Sequence, residues 1–168
     1  MRKMLAIALF SAALAALAVT AAEATDLRSW DQKLPANKRF IVLPAFDDAA
    51  VLDQETQLVW TRQPVYGPAH YGTAFSACGG ATTGGRRGWR LPSLHELFSL
   101  LDGGPVPSIP GTVFQNISGY FWSSTVDGQI GYRQTVSLTG PTIDNWGTTI
   151  ESATYPSTLC VRGHGAQP

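Results

Sequence analysis

Side chains that could bind a sugar are concentrated late in the chain, within about twenty residues. They combine aromatic rings, carboxylates, an amide and a guanidinium: Tyr132, Arg133, Asp144, Asn145, Trp146 and Glu151. Sugar-binding sites use such combinations, because an aromatic face covers the C–H surface of the sugar ring while Asp, Asn and Arg bond its hydroxyls. The same carboxylates and amide could supply oxygen ligands to calcium, which is the alternative ligand here. We therefore predict a ligand-binding site that includes Trp146 and carries no catalytic residue.

A second group of candidate ligands consists of arginines in or next to a glycine-rich stretch, residues 79–88. Arg86 and Arg87 are adjacent there, and with Arg90 they could form a small patch for sulfate or carboxylate groups. A solvated turn is the alternative for Arg86 and Arg87, and it is favoured. For Arg90 we favour a structural role, bonding loop carbonyls or pairing with Glu96, over a role as an anion ligand.

Metal-dependent and hydrolytic chemistry have little support in the sequence. The three histidines, His70, His95 and His164, lack the H-x-x-x-H and H-E-x-x-H spacings that place two imidazoles on one face of a helix. No G-x-S-x-G sequence is present to hold a serine nucleophile. The sequence thus predicts a binding module without a resident cofactor, and not an enzyme.

The two cysteines are Cys78 and Cys160. In an exported protein an even number of cysteines favours a disulfide, and two cysteines allow one pairing only. A thiol nucleophile at either position is the alternative, although neither cysteine belongs to a C-x-x-C sequence. We predict a Cys78–Cys160 disulfide that joins the middle of the chain to its last strand.

The N-terminal residues have the pattern of a secretory signal peptide. A basic start, residues 1–3, precedes an apolar, Ala- and Leu-rich segment, and Ala22-Glu23-Ala24 offers an A-x-A cleavage site. An uncleaved membrane anchor is the alternative, since residues 4–22 carry no charge. The predicted organisation is a leader over 1–24, a linker or N-terminal arm over 25–38, one domain over 39–163 and a tail over 164–168. We expect an exported, periplasmic or extracellular protein that keeps no stable membrane span.

Charge and composition exclude several classes of protein. The chain has 12 Lys and Arg against 12 Asp and Glu, and only 14% of its residues are charged. Without a basic excess it cannot neutralise many phosphates, so nucleic acid is not an expected partner. A hydrophobic share of 44% argues against disorder, and 17 Gly with 11 Pro indicate a loop-rich domain and not a helical bundle.

The elements expected to position these residues are short and separated by turns. Strands are predicted over residues 39–46, 119–125, 132–138 and 157–162, with a hairpin of strands 50–52 and 58–60. Helices are predicted over residues 71–78 and 92–101. In the second helix Ser93 and Glu96 have capping-box spacing, and the apolar face consists of Leu94, Leu97, Phe98 and Leu101. Residues 139–155 are predicted to be a polar loop around Trp146. This order of elements predicts an α+β fold.

Four motifs follow one another along the predicted domain. They are D-x-x-T-x-L-x-W at residues 53–60, G-W-R-L-P-S-x-x-E-L at 88–97, G-Y-F-W-S-S-T at 119–125 and C-V-R-G at 160–163. Together they resemble the Lcl C-terminal domain family, a group of bacterial exported domains long described as having unknown function. The resemblance spans about residues 39–163. Gln57 departs from it, since the family usually carries Gly at that point of the hairpin, and this departure bears on the geometry of the turn.

The resemblance implies a C-type-lectin-like fold with two short helices and a small, mainly antiparallel twisted sheet with long loops. Such folds bring the first helix against the final strand and often join them by a disulfide. Trp89 and Trp122 lie in family motifs together with Arg90 and Glu96, and we expect both tryptophans in the core. The family is named after a collagen-like adhesin, which implies an adhesin-like module for a glycan or protein ligand at the cell surface.

Two other functions stay open at this point. One is a structural subunit of a larger envelope assembly, tethered by residues 25–38. The other is an enzyme similar to the formylglycine-generating oxidases, which share a related fold and use reactive cysteines. The E-P-N, Q-P-D and W-N-D triplets of calcium-dependent sugar-binding C-type lectins do not occur in this chain in their functional order, so that type of calcium-dependent binding is not implied.

Overall fold

A computed structural model of the protein describes residues 33–65, 70–102, 108–109, 113–126, 128, 132–138, 143–147 and 156–163. Three α-helices occur in this part of the chain: α1 Ala36–Arg39, α2 Tyr71–Gly80 and α3 Leu94–Ser99. Its strands are β1 Phe40–Val42, β2 Ala50–Asp53, β3 Leu58–Thr61, β4 Tyr120–Val126, β5 Tyr132–Ser137, β6 Ile143–Gly147 and β7 Val161–Arg162. The predicted leader and the predicted tail lie outside the described residues. No helix among the described residues is long and apolar enough to cross a membrane.

The strands form two antiparallel sheets, and the predicted α+β class is confirmed. The first sheet has the order β1-β2-β3-β7, and the second has the order β4-β5-β6. Two isolated bridges connect these sheets to the remaining chain, Arg90 with Val161 and Phe121 with Ser157. The bridges therefore join the segments around residues 90 and 121 to the chain in and just before the last strand.

The β2–β3 hairpin is held by side chains of its own turn. Asp53 is fully buried, and its carboxylate accepts a hydrogen bond from the backbone N–H of Glu55 at 3.0 Å. Thr56 accepts one from the N–H of Leu58 at 3.3 Å. Gln57 adopts a left-handed φ of 59°, a conformation that glycine adopts without steric cost. The turn is formed although Gln57 departs from the family pattern, and the side-chain amide of Gln57 donates to the carbonyl of Gln54 at 2.8 Å.

Helix α3 begins with the predicted capping box. The Ser93 hydroxyl accepts from the N–H of Glu96 at 3.2 Å, and the Glu96 carboxylate accepts from the N–H of Ser93 at 2.8 Å. The helix is shorter than predicted, because Pro92 precedes it and the chain leaves helical geometry after Leu100. Leu94 and Leu97 are buried as predicted, whereas Phe98 and Leu101 are only partly buried against the core.

The core has two buried clusters. The first cluster packs the leucines of α3 against strands of both sheets. The second contains Trp89, Trp122, Cys78 and Cys160, with Phe46 and Tyr71 among the partly buried side chains at its edge. Trp89 and Trp122 are 3% and 1% exposed, so their predicted place in the core is confirmed.

The predicted disulfide is also confirmed and lies in the second cluster. It joins Cys78 of α2 to Cys160, the residue before β7, with the two Cα atoms 5.5 Å apart. Both cysteines are completely buried. Neither thiol is therefore available as a nucleophile in this structure.

Several predicted boundaries were wrong. The strand expected over residues 39–46 ends at Val42, because Pro44 opens a 3-10 turn, Pro44–Phe46. The last strand, predicted over residues 157–162, is shorter and consists of β7, Val161–Arg162. The predicted polar loop over residues 139–155 contains β6, which pairs with β5 along its whole length. Helix α1 begins within the segment predicted to be a linker or N-terminal arm, residues 25–38.

Candidate functional site

A half-buried tyrosine at the start of α2 lies beside an exposed aromatic side chain. The Tyr71 ring meets the ring of Trp122 edge-on, with centroids 5.7 Å apart. Phe75 lies one helical turn later and 6.2 Å from Tyr71, and it is 56% exposed. The Arg133 guanidinium of β5 sits 4.7 Å above the Tyr71 ring. We call Tyr71, Phe75 and Arg133 the α2–β5 surface.

The register of β6 brings further predicted residues next to this surface. Trp146 opposes Arg133, and Asp144 opposes Thr135. Opposed residues share one face of a sheet, so positions 144 and 146 lie on the face that carries Arg133. Trp122 of β4 opposes Thr135 across the other edge of β5 and therefore lies on the same face. Because its ring contacts Tyr71 of α2, this is also the face that α2 covers.

Strand geometry separates residues that the sequence grouped in one candidate site. Asn145 opposes Gln134 and Tyr132 opposes Gly147, so positions 132 and 145 lie on the other face of the second sheet. Glu151 lies outside the described residues. By register, positions 144 and 146 therefore share the sheet face of Arg133, whereas positions 132 and 145 belong to the opposite face.

The Arg133 side chain is held by an aromatic ring and by no ion pair with the described residues. A guanidinium above an aromatic face is attracted by the negative charge of the π system. Its Nε atom is buried and has no hydrogen-bond acceptor among the described residues. The group is thus positioned while retaining capacity to donate hydrogen bonds.

Arg86 and Arg87, the second predicted group, are exposed. This agrees with the solvated turn that the sequence analysis favoured. The Arg86 guanidinium lies 5.8 Å from the ring centroid of Phe46, and the indole N–H of Trp89 donates to the Arg86 carbonyl at 2.9 Å. The Phe46 side chain also lies directly against Gly84. Glycine permits this close approach, since a Cβ at position 84 would lie 2.5 Å from the Cβ of Phe46.

Arg162 was missed as a candidate by the sequence reasoning, although it belongs to the C-V-R-G motif. Its guanidinium lies 5.6 Å from the Phe46 ring centroid and 5.8 Å from that of Trp89. One of its terminal nitrogens is buried without a partner among the described residues. The signal in the sequence was the motif, but only the pairing of β7 with β3 brings Arg162 to these rings.

Arg90 and Glu96 form the structural pair that the sequence favoured. The guanidinium donates to both carboxylate oxygens of Glu96, at 2.8 and 2.6 Å. The side chain of Arg90 is 39% exposed and that of Glu96 only 6%. Burial acts to raise the pKa of Glu96, but hydrogen bonds from Arg90 and from the Ser93 backbone outweigh it, so the pKa lies below its usual value. The bond to Glu96 raises the pKa of Arg90 against the opposite effect of burial.

Replacing Glu96 by glutamine is expected to lower the free energy of unfolding by about 1–2 kcal/mol at neutral pH. Because the folded-state pKa of Glu96 is lowered, the stabilisation is complete above its unfolded pKa and is lost as the pH falls through the folded one. Urea unfolding at about pH 7 and pH 3 should show a smaller effect of Glu96→Gln at the lower pH. Glu96→Ala serves as the control, since it also removes the capping acceptor and should cost about 1 kcal/mol more. An effect of Glu96→Gln that is equal at both pH values would contradict the ionic contribution.

A buried ion cluster at the hairpin was not predicted. Arg39 donates to both carboxylate oxygens of Asp53, at 3.0 and 2.8 Å, and its Nε lies 3.0 Å from Glu55. It also donates to the carbonyl of Ser99 at the end of α3. We call Arg39, Asp53 and Glu55 the Arg39 cluster. Asp53 is the first residue of the D-x-x-T motif, and its carboxylate serves both the turn, through the Glu55 N–H, and the ion pair with Arg39.

A metal centre finds no support in the part of the chain described above. No group of three or more His, Cys, Asp or Glu side chains there is arranged to hold a metal ion. The side chain of Asp144, a candidate calcium ligand, lies outside that description.

The fold and these contacts define a small, disulfide-linked α+β domain with an exposed aromatic and cationic surface. A family model described as the Lcl C-terminal domain matches residues 49–159, about two thirds of the chain. The protein therefore belongs to the Lcl C-terminal domain family, as its four motifs predicted. The match extends from just before β2 to the residue preceding Cys160, and thus covers most of both sheets. No curated protein matches the chain.

Proposed function

We propose that this protein is an exported, non-catalytic binding module that recognises a glycan through the α2–β5 surface. The observation that carries the proposal is the Arg133 guanidinium above the Tyr71 ring, next to the exposed Phe75 and opposite Trp146. The exposed Phe75 ring suits the C–H face of a sugar, and a positioned guanidinium suits its oxygens.

The proposal includes a C-type-lectin-like arrangement of the domain. The disulfide that joins α2 to the chain just before β7 supports this, because α2 is the first of the two helices predicted from the sequence and β7 is the final strand. Export is supported by the leader pattern of residues 1–24 and by the oxidised cysteine pair.

The test is a screen of the protein against glycan and polysaccharide arrays, with and without a chelator. We expect Trp146→Ala to abolish binding to the glycan that is found, and Phe75→Ala to weaken it about tenfold, which corresponds to about 1.4 kcal/mol. Both variants should keep the far-UV circular dichroism and melting temperature of the parent within a few degrees. Ile41→Ala is the matched control, since Ile41 is an exposed apolar residue, 42% accessible, on the first sheet.

Three outcomes would contradict the proposal: no binding to any glycan, unchanged binding by Trp146→Ala, or loss of the fold in that variant. Binding to sulfated polymers that disappears in an Arg86→Ser, Arg87→Ser double variant but survives in Trp146→Ala would move the site to the glycine-rich loop. A loss of binding when a chelator is added would indicate that calcium takes part in the site.

A further inference from the structure

A cleft of about 390 Å³ lies between the N-terminal arm, the tip of the β2–β3 hairpin and helix α3. Its walls include apolar side chains from the arm and from α3 or its end, Leu34, Phe98 and Leu101. Its volume falls within the range of small-molecule sites, which are mostly apolar with a few placed polar groups. The α2–β5 surface shares none of these lining residues.

Glu55 provides the polar group at the bottom of this cleft. The residue is 9% exposed, and one carboxylate oxygen accepts a hydrogen bond from the backbone N–H of Leu34. The other oxygen lies 3.0 Å from Nε of Arg39, but the Nε hydrogen is donated to Asp53. That oxygen of Glu55 therefore accepts no hydrogen bond from the described residues.

The charge around Glu55 is not balanced. The Arg39 cluster contains one guanidinium and two carboxylates, so its buried charges sum to one negative charge in excess. A buried carboxylate that lacks a full set of donors is unfavourable unless a cation approaches it. Glu55 itself lines the cleft, so a cation bound there would meet this excess negative charge.

We propose that this cleft binds an alkylammonium group, with Glu55 as its anionic anchor. The ammonium would donate to the Glu55 oxygen that is ion-paired with Arg39 but accepts no hydrogen bond from the described residues, and the attached carbon chain would contact Leu34, Phe98 and Leu101. Among the other charged residues of the lining, Asp102 adds negative charge, whereas Lys33 and Arg39 oppose a cation. A free amine and a lysine side chain of a peptide present the same chemistry.

The test measures binding of pentylammonium chloride to the full chain by isothermal titration calorimetry and by amide NMR shifts, at low salt. We expect saturable binding with shifts at Phe98 and Leu34, and none for 1-pentanol, which has the same chain without the charge. Glu55→Gln should weaken binding at least about tenfold, since a hydrogen bond to a charged group is lost. Lys33→Gln should strengthen it about two- to fivefold by removing a like charge.

Asp47→Asn is the matched control, because Asp47 is an exposed carboxylate outside the cleft and its removal should leave binding unchanged. Equal binding of pentanol, or unchanged binding in Glu55→Gln, would overturn the proposal. Should Glu55→Gln fail to fold, Lys33→Gln decides, and an unchanged affinity in that variant would overturn it too. Cadaverine and a capped Gly-Lys-Gly peptide then separate a free diamine from a lysine side chain. Failure here leaves the glycan proposal intact, since no lining residue of the cleft belongs to the α2–β5 surface.

Discussion

Replacing Arg39 by methionine is expected to lower the free energy of unfolding by about 3–5 kcal/mol, because two buried carboxylates would lose their cation. The guanidinium is 5% exposed and contacts the hairpin through Asp53 and Glu55. It also reaches the Ser99 carbonyl at the end of α3, so one side chain joins three elements. Urea unfolding at neutral pH measures the effect.

A second substitution separates the loss of charge compensation from the loss of packing. Adding Asp53→Asn to Arg39→Met should recover about 1–2 kcal/mol, since the amide keeps the acceptor for the Glu55 N–H but removes a buried charge. Arg62→Met is the matched control: Arg62 is a half-buried arginine that donates to carbonyls of Val113 and Asp48 and pairs with no described carboxylate. It should cost about 1–2 kcal/mol. Equal costs for the two arginine variants would argue against buried charge as the cause.

Removing the disulfide with Cys78→Ala and Cys160→Ala is expected to cost up to about 4.5 kcal/mol, since the bond closes a long loop in the unfolded chain. The two cysteines are 82 residues apart in sequence. Both are fully buried in the cluster of Trp89 and Trp122, so the change also removes packing. Denaturant unfolding of oxidised parent and double variant measures the difference.

The single variant Cys160→Ala provides the control for the disulfide. This variant removes the same disulfide but leaves the Cys78 side chain in the core. Its free energy of unfolding should therefore lie within about 1–2 kcal/mol of that of the double variant. Intact mass before and after reduction checks the bond itself. Two free thiols in the native protein would contradict the structure and restore the oxidase alternative.

Local patterns of the sequence predicted much of the scaffold. The capping box of α3 depends on two residues three positions apart, and the β2–β3 hairpin depends on one short turn, so both could be predicted from the sequence. The disulfide followed from having only two cysteines. The sequence did not predict the geometry of the turn at Gln57, where the structure shows a left-handed φ of 59°.

The candidate site was predicted less completely. The sequence grouped Tyr132, Arg133, Asp144, Asn145 and Trp146 by their chemistry, but treated the last three as parts of a loop. A short polar segment such as Ile143–Gly147 carries no strong strand pattern, and it becomes a strand only because β5 offers an edge to pair with. Alternation then places positions 144 and 146 beside Arg133 and position 145 on the other face.

The sequence by itself determined the family, the α+β class, the cysteine pair and the buried tryptophans, because motifs, spacing and hydrophobicity are properties of neighbouring residues or of rare residue types. The tertiary structure alone decided which distant side chains meet. It places Arg39 between Asp53, Glu55 and Ser99, Arg162 beside Phe46 and Trp89, and Arg133 above Tyr71. These contacts join segments separated by many residues, and their partners are set by strand pairing and helix packing, which leave no local signal in the chain.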